Sequence, residues 1–170
     1  KQNLLSEWSR LLLLNTILGK GLSSRLWSKC VEDEVLFETI GSNLELYSYT
    51  GFIQIGGVSS ESTQFTFAFE SILSVIDALK KTTVSINEFS KAREYLKGRL
   101  ILDNEDIVAS TVWQVSLFIA TGHDIEVAEL IEYIQKIDSN EIRALSMDLF
   151  VPERMIVTTV GTAKHTILLD

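Results

Sequence analysis

The stretch LLLLNTILGKGLSSRLW, residues 11–27, decides how the first part of the chain folds. Apolar residues recur at helical spacing across residues 4–18, and Gly19 then supplies a residue type that commonly ends a helix. Ser23 or Ser24 stands where a serine can cap a second, shorter helix. The stretch therefore predicts two helices joined by a glycine turn.

The glycine pair Gly19 and Gly21 also raises the question of a phosphate-binding loop. A Walker loop needs Gly, four residues and then Gly-Lys-Ser/Thr, and the sequence GKGLSS does not have that form. A dinucleotide-binding loop needs a third glycine and a preceding strand, whereas Gly19 follows a predicted helix. We interpret the pair as a turn between helices.

The short second helix is predicted to turn one face inward and to have an exposed end. Leu26, Trp27 and Cys30 fall on one face and are expected to point inward. The acidic run at residues 32–34 follows, and we expect it to form a solvated turn.

Strand signals follow the acidic run. Residues 35–48 are rich in β-branched and aromatic side chains, and residues 49–58 alternate apolar positions before the break at Gly56 and Gly57. Together they predict a β-hairpin. Near the end of the chain, residues 154–161 predict a further, closing strand.

The rest of the sequence predicts five helices. They are expected at about residues 61–81, after the capping-box pair Ser85 and Glu88, at about residues 106–121, and around the apolar positions in 127–134 and 142–149. The predicted helix at 106–121 contains Trp113, Leu117 and Ile119 and is expected to end at Gly122.

Grouped helices with few strands predict an α+β fold, in which helices are layered on one face of an antiparallel sheet. A chain of 170 residues fits a single domain, residues 1–170. Three strands make a small sheet for the number of helices predicted. We therefore expect the chain to be a piece of a longer protein, with further strands upstream and any leader sequence lost.

The composition excludes several classes of partner. Hydrophobic residues make up 46% and charged residues 22% of the chain, which is typical of a folded protein. The formal net charge of −8 argues against nucleic acid and against an anionic membrane surface. The longest apolar run is too short to cross a bilayer. The sequence does not indicate a compartment.

The sequence alone contains no recognisable catalytic constellation. His123 and His165 lie far apart, outside any HxxH, HExxH or HxxEH pattern, so no metal site is predicted. Cys30 is expected to be a small core residue. No serine lies in a GxSxG elbow. The three tryptophans fit core or interface packing: Trp8, Trp27 and Trp113.

Four stretches together resemble one family. Residues 11–27, the segment YSYTGFIQIGG at 47–57, VSINEFSKAREYLKGRLIL at 84–102 and VPERMIVTTVG at 151–161 occur in one order. This order resembles the second half-domain of the insulinase, pitrilysin and mitochondrial processing peptidase family of zinc metallopeptidases. The likeness covers residues 4–161.

The resemblance implies that zinc is held in another half of the parent protein. In the family, an HxxEH motif and a distant glutamate bind zinc, and paired halves enclose an unfolded peptide. The facing half normally supplies an arginine and, seven positions later, a tyrosine. Those positions correspond here to Val31 and Glu38, which cannot replace them, so no catalytic residue is expected in this segment.

The resemblance leaves three interpretations open. The segment could be the second half of a zinc-bearing chain whose paralogous subunit supplies the arginine and tyrosine. It could instead belong to a catalytically inactive scaffold or assembly subunit related to processing peptidases. The third interpretation is a stand-alone interaction module. The expected partners are the zinc-binding half-domain, a paralogous subunit and unfolded peptide.

The predicted hairpin is the candidate wall for peptide binding. An extended peptide can add to a sheet edge through backbone hydrogen bonds, with little sequence preference. The candidate groove residues lie in the segment 44–55: Leu44, Leu46, Phe52 and Ile53.

Overall fold

A computed structural model describes residues 2–47, 50–59 and 65–161. Within them, two strands lie among seven helices. The elements in chain order are α1 (Gln2–Gly19), α2 (Arg25–Trp27), a π-helical turn (Ser28–Asp33), β1 (Thr39–Leu46), β2 (Gly51–Val58), α3 (Phe65–Lys81), α4 (Ile86–Glu105), α5 (Ile107–Thr121), α6 (Val127–Lys136), α7 (Ser139–Leu149) and a 3₁₀ turn (Pro152–Arg154).

Helix α1 is the centre of the molecule. It packs against β1 on one side and against α4, α6 and α7 on the others. Its buried leucines include Leu13, Leu14 and Leu18, none of which has any exposed surface. The predicted helix and its end at Gly19 are confirmed. Of the predicted positions, the side chain of Leu4 lies outside the described residues.

The end of α1 lies directly against β1 because its last residue, Gly19, has no side chain. A Cβ atom placed on Gly19 would lie 2.5 Å from Ser42 Oγ and would also meet the Ser42 backbone nitrogen. The Ser42 hydroxyl hydrogen-bonds to the Asn15 side-chain oxygen at 2.6 Å. Gly19 is therefore required for the close approach of α1 to β1.

The predicted hairpin is confirmed. Strands β1 and β2 are antiparallel, with Thr39 opposite Val58 and Leu46 opposite Gly51. Helix α1 covers one face, on which Ile40 is buried, whereas Phe52 on the other face is 51% exposed. The architecture is α+β with helices on one face of an antiparallel sheet, as the sequence predicted.

The predicted closing strand is not formed within the described residues. Residues 152–154 form a 3₁₀ turn, and the described sheet contains β1 and β2 alone. Ile156 is 90% exposed and Val160 is fully exposed. A strand is stabilised by hydrogen bonds to a neighbouring strand, and its sequence pattern cannot supply that neighbour.

Helices α4 and α5 are separated by a single residue. Asp106 ends α4, and its carboxylate caps α5 by accepting hydrogen bonds from the backbone N–H groups of Val108 and Ala109 at 2.8 and 3.0 Å. Gly122 ends α5 in the left-handed conformation, with φ of 68°. Both predicted boundaries are confirmed.

Of the three apolar residues named for the predicted helix at 106–121, two face the core and one faces solvent. Leu117 is 2% exposed and Trp113 packs against the core, but Ile119 is 66% exposed. Residues 113 and 117 are one helical turn apart, while residue 119 lies about 200° around the helix from 117. Ile119 therefore lies on the outer side of α5.

The apolar core is one cluster that draws on the helices and the hairpin. Its members include Leu14 of α1, Ile40 of β1, Leu79 of α3, Leu96 of α4 and Ile142 of α7. Among the described helices, none is long and apolar enough to cross a membrane.

Candidate functional site

The two positions singled out by the resemblance lie at the ends of one irregular segment. Helix α2 continues into the π-helical turn Ser28–Asp33, which contains Val31, and the chain then reaches Glu38 just before β1. A π-helical turn is rare and often accompanies a functional site. Ser24 precedes α2 as predicted, but its hydroxyl donates to the Gly21 carbonyl at 2.8 Å instead of capping α2.

Val31 and Glu38 differ in their surroundings. Val31 is half-buried and packs against the apolar core. Glu38 is exposed, and its backbone N–H donates to the Val58 carbonyl at 2.8 Å, which extends the hairpin by one bond. The side chains therefore present an apolar surface at one position and a solvated carboxylate at the other.

Between these positions, Val35 adopts a backbone conformation that valine disfavours. Its φ is 52°, in the left-handed region, and its side chain is 75% exposed. Glycine is the residue that adopts this conformation without steric cost, and a β-branched residue there is a true outlier. This conformation lies where the backbone changes direction between the π-helical turn and β1.

Glu34 anchors the end of the π-helical turn. Lys29 Nζ lies 2.8 Å from Glu34 Oε1, and the Ser71 hydroxyl of α3 donates a short hydrogen bond to Glu34 Oε2. Partial burial disfavours the charge of Glu34. The hydrogen bonds from Lys29 and Ser71, together with the charge of Lys29, outweigh burial and lower the pKa of Glu34 below its ordinary value.

The predicted solvated turn at residues 32–34 is therefore only partly correct. Glu32 and Asp33 are exposed, whereas Glu34 is half-buried and bonded to α3. A run of three acidic residues does not reveal which one meets a serine from a distant helix. The bond to Ser71 is a tertiary contact that sequence reasoning missed.

Cys30 is a core residue, as predicted. Its side chain is fully buried, and its thiol lies 3.8 Å from Ser71 Oγ. Burial raises the pKa of the Cys30 thiol, so the thiol form is favoured. Leu26 is also buried, while Trp27 is half-buried.

The four candidate groove residues are divided between the two faces of the hairpin. Leu44 and Ile53 are cross-strand partners and share the covered face, on which Ile53 packs against the core. Leu46 lies two residues beyond Leu44 on that same face and is half-buried. Phe52 lies on the open face, where its ring is 6.3 Å from the ring of Tyr47.

A shallow crevice lined by glycines and polar side chains lies where α1 meets the hairpin, and sequence reasoning missed it. Lys20 Nζ donates to Asn43 Oδ1 at 3.0 Å, and Gln54 lies nearby on β2. Gly41 and Gly56 face each other across the strands, and a Cβ placed on Gly56 would meet nothing within 4 Å. The crevice therefore offers an ammonium group, two amides and uncovered backbone.

The described residues do not provide a zinc ligand set. In the described ranges, no group of three or more His, Cys, Asp or Glu side chains could hold a metal ion. His123 is exposed in the turn after α5, where its backbone N–H donates to Thr121 Oγ1 at 3.1 Å. His165 lies outside the described residues.

Comparison with known proteins identifies relatives across most of the chain. Residues 2–96 match the family described as "Peptidase M16 inactive domain". The chain is 24% identical over 143 residues to "Uncharacterized zinc protease YmxG" of Bacillus subtilis (strain 168), which covers 84% of this chain and 35% of that protein. The chain thus spans about a third of the length of this relative.

Solved structures share the fold. The peptidase M16 inactive domain from Pseudomonas fluorescens has a TM-score of 0.73 at 17% identity, over 85% of this chain and 34% of that chain. A chain of Complex III2 from Candida albicans, solved with Inz-5 bound, has a TM-score of 0.70 at 16% identity, over 84% of this chain and 36% of that chain. A protease from Helicobacter pylori has a TM-score of 0.67 at 18% identity, over 84% of this chain and 34% of that chain.

The sequence resemblance, the helix-covered hairpin and these matches agree with one another. The family profile covers more than half of the chain, from α1 into α4. The chain belongs to the peptidase M16 inactive domain family, as a half-domain of zinc protease-like proteins.

Proposed function

We propose that the chain forms one wall of a peptide-enclosing chamber in a zinc-dependent metalloendopeptidase of this family, with zinc held in another half of the parent protein. The observation that carries this proposal is the family match over residues 2–96. The relative named a zinc protease is about three times as long as the matched segment, which leaves room for a zinc-binding half.

The side chains at Val31 and Glu38 suit a wall better than a reaction centre. Hydrolysis of a peptide develops negative charge on the carbonyl oxygen, which is stabilised by hydrogen-bond donors. Valine has no donor, and an ionised glutamate would repel that charge. We therefore assign the chemistry to other parts of the assembly, including a paralogous subunit that supplies the missing donors.

The hairpin and the crevice are the proposed peptide-contacting surface. An extended peptide presents amide groups along its backbone, and Asn43, Gln54 and the glycine-lined backbone offer both donors and acceptors to such groups. Phe52 on the open face adds an apolar contact. Backbone recognition of this kind gives weak sequence preference.

The test is a gain of function in the parent protein assayed without its paralogous partner, so that no other subunit supplies the missing donors. Replacing Glu38 by Tyr, alone and with Val31→Arg, restores donors at the two family positions and is expected to raise kcat/KM for an unfolded peptide by about 10-fold or more. The matched control is Glu32→Tyr, an exposed change in the same segment, which should leave kcat/KM unchanged.

Two results would overturn the proposal. The first is one tightly held zinc per 170-residue chain, measured by elemental analysis of that chain alone. The second is a parent protein that contains no zinc and hydrolyses no unfolded peptide, with or without its paralogue.

A catalytically inactive scaffold subunit is the second candidate, favoured by the substitutions at Val31 and Glu38. A scaffold needs the fold and its contact surfaces, and it tolerates the loss of both donors. The same assay separates the candidates, because a scaffold would remain inactive in the Glu38→Tyr and Val31→Arg variants and would still assemble with its partner.

A further inference from the structure

Helix α5 carries an uncharged, apolar outer surface that we define as the α5 face: Ile107, Val108, Val112, Val115 and Phe118. The exposed fractions of these side chains run from 52% for Val115 to 82% for Ile107. Helix α5 contains no charged residue in its 15 positions, where the average composition of the chain, 22% charged, would give about three. The surface spans residues 107–118 and is about 18 Å long at 1.5 Å per residue.

The residue types on the α5 face conflict with a solvent-exposed role. Val108, Val112 and Val115 are β-branched, and each is less favourable than alanine in an exposed helix by roughly 0.5 kcal/mol. Three such residues on one exposed stripe lower the stability of the helix and expose apolar surface to water. Burial against a partner explains both features, because each valine then gains contact area.

The charges at the two ends of α5 select the kind of partner. Asp103, Glu105 and Asp106 are exposed before the helix, and Asp124 and Glu126 are exposed after it. Two copies of the chain paired through this face would bring acidic residues together in either orientation. An anionic lipid surface is disfavoured for the same reason.

The absence of charge along the helix points to a permanent contact. The centre of an obligate interface is depleted of charged residues, whereas transient interfaces keep more of them. The matched relative has about two thirds of its length outside the segment that aligns with this chain. A surface within the same polypeptide would remain permanently in place against α5.

We infer that the α5 face is the docking surface for another half of the same parent protein, which presents an apolar groove flanked at both ends by Lys or Arg side chains. This inference rests on the proposed function for the identity of the occupant. The groove is at least about 18 Å long, to match the α5 face.

The experiment measures binding between the 170-residue chain and the remaining half of its parent, expressed as a separate polypeptide, by isothermal titration calorimetry. A 1:1 complex is expected. The double variant Val112→Lys, Val115→Lys should raise the dissociation constant by about 100-fold, because two ammonium groups would be buried in an apolar contact. Asp124→Lys should weaken binding less and reduce its dependence on salt.

The control is Ile86→Lys, which places one ammonium group at an apolar side chain of α4 that is 92% exposed and lies outside the α5 face. It should bind like the wild type. Circular dichroism of each variant confirms that the helices remain folded, so a loss of affinity reports on contact.

Three outcomes overturn the inference. Val112→Lys with Val115→Lys could leave the affinity unchanged. The chain alone could sediment as a dimer that this variant dissociates, or it could bind phosphatidylcholine vesicles through the α5 face. If the other half of the parent lacks zinc but still binds through the α5 face, the proposed function alone is rejected. If that half contains zinc but does not bind through the α5 face, this inference alone is rejected.

Discussion

Val35 is the residue whose backbone departs most clearly from its own preference. It lies between the π-helical turn and β1, with φ of 52° and an exposed side chain. The sequence VEDEV suggests neither a π-helical turn nor a left-handed residue, because both arise from how the segment must reach the hairpin. Local sequence patterns predicted the neighbouring helix and strands but not this connection.

Replacing Val35 by glycine should stabilise the protein by about 0.5–1 kcal/mol. Glycine removes a steric cost of roughly 1–2 kcal/mol in the left-handed region, and part of this gain is offset by the greater freedom of glycine in the unfolded chain. Urea unfolding followed by circular dichroism measures the change. Val35→Ala is the control, since it shortens an exposed side chain without relieving φ. Equal stability of the two variants would show that φ is not the cause.

At the scale of elements, close packing of α1 on β1 depends on a missing side chain. Periodicity correctly predicted α1 and its end, but it could not show that Gly19 also touches Ser42, since that contact joins distant parts of the chain. The prediction of a closing strand was wrong for a related reason, because strand pairing depends on residues that are distant in the sequence. Residues 154–161 have the apolar pattern of a strand, but neither described strand pairs with them.

Gly19→Ala and Gly98→Ala should change stability in opposite directions. A Cβ on Gly19 collides with Ser42 and should cost about 1–3 kcal/mol. A Cβ on Gly98, inside α4, meets nothing within 4 Å and should stabilise the protein by about 0.5–1 kcal/mol. Thermal unfolding of both variants provides the comparison. A tolerated alanine at residue 19 would contradict the close approach of α1 to the sheet.

The contact between the π-helical turn and α3 predicts a dependence on pH. The pKa of Glu34 is lower in the folded protein than in the unfolded chain, so its stabilisation is complete above about pH 4.3 and is lost as the pH falls through the lowered value. Glu34→Gln should lower stability by about 1 kcal/mol at pH 7. This difference should shrink as the pH is lowered below about 4.3.

Urea unfolding at a series of pH values tests this dependence. Asp33→Asn is the control, because Asp33 is exposed in the same segment and should change stability by less than about 0.5 kcal/mol. A constant difference between the wild type and Glu34→Gln down to pH 3 would contradict the assigned role of the ionised carboxylate.

At the scale of the whole molecule, the helices share one core around α1. Composition and periodicity predicted the α+β class with helices on one face of the sheet, since these follow from which residues are apolar and how they recur. They did not predict the Lys20–Asn43 crevice, because that site is assembled from residues brought together by the fold. They did not predict the outer surface of α5 either, because the fold decides which side of that helix packs against its neighbours.

Leu14→Ala should destabilise the entire molecule in one transition. Leu14 is fully buried in α1, and removing such a side chain typically costs about 2–5 kcal/mol. Tryptophan fluorescence and circular dichroism should report the same lowered urea midpoint. The control is Leu22→Ala, since Leu22 is 66% exposed and its loss should change stability by less than about 0.5 kcal/mol. Separate transitions for the two probes would show that α1 does not unite the core.

The single-residue junction at Asp106 restricts how the length of this chain can change. Because one residue both ends α4 and caps α5, inserting one more residue at the junction would rotate the outer surface of α5 by about 100° or uncap the helix. Homologues that keep the partner of α5 should therefore tolerate insertions in the turn around His123 and exclude them between α4 and α5.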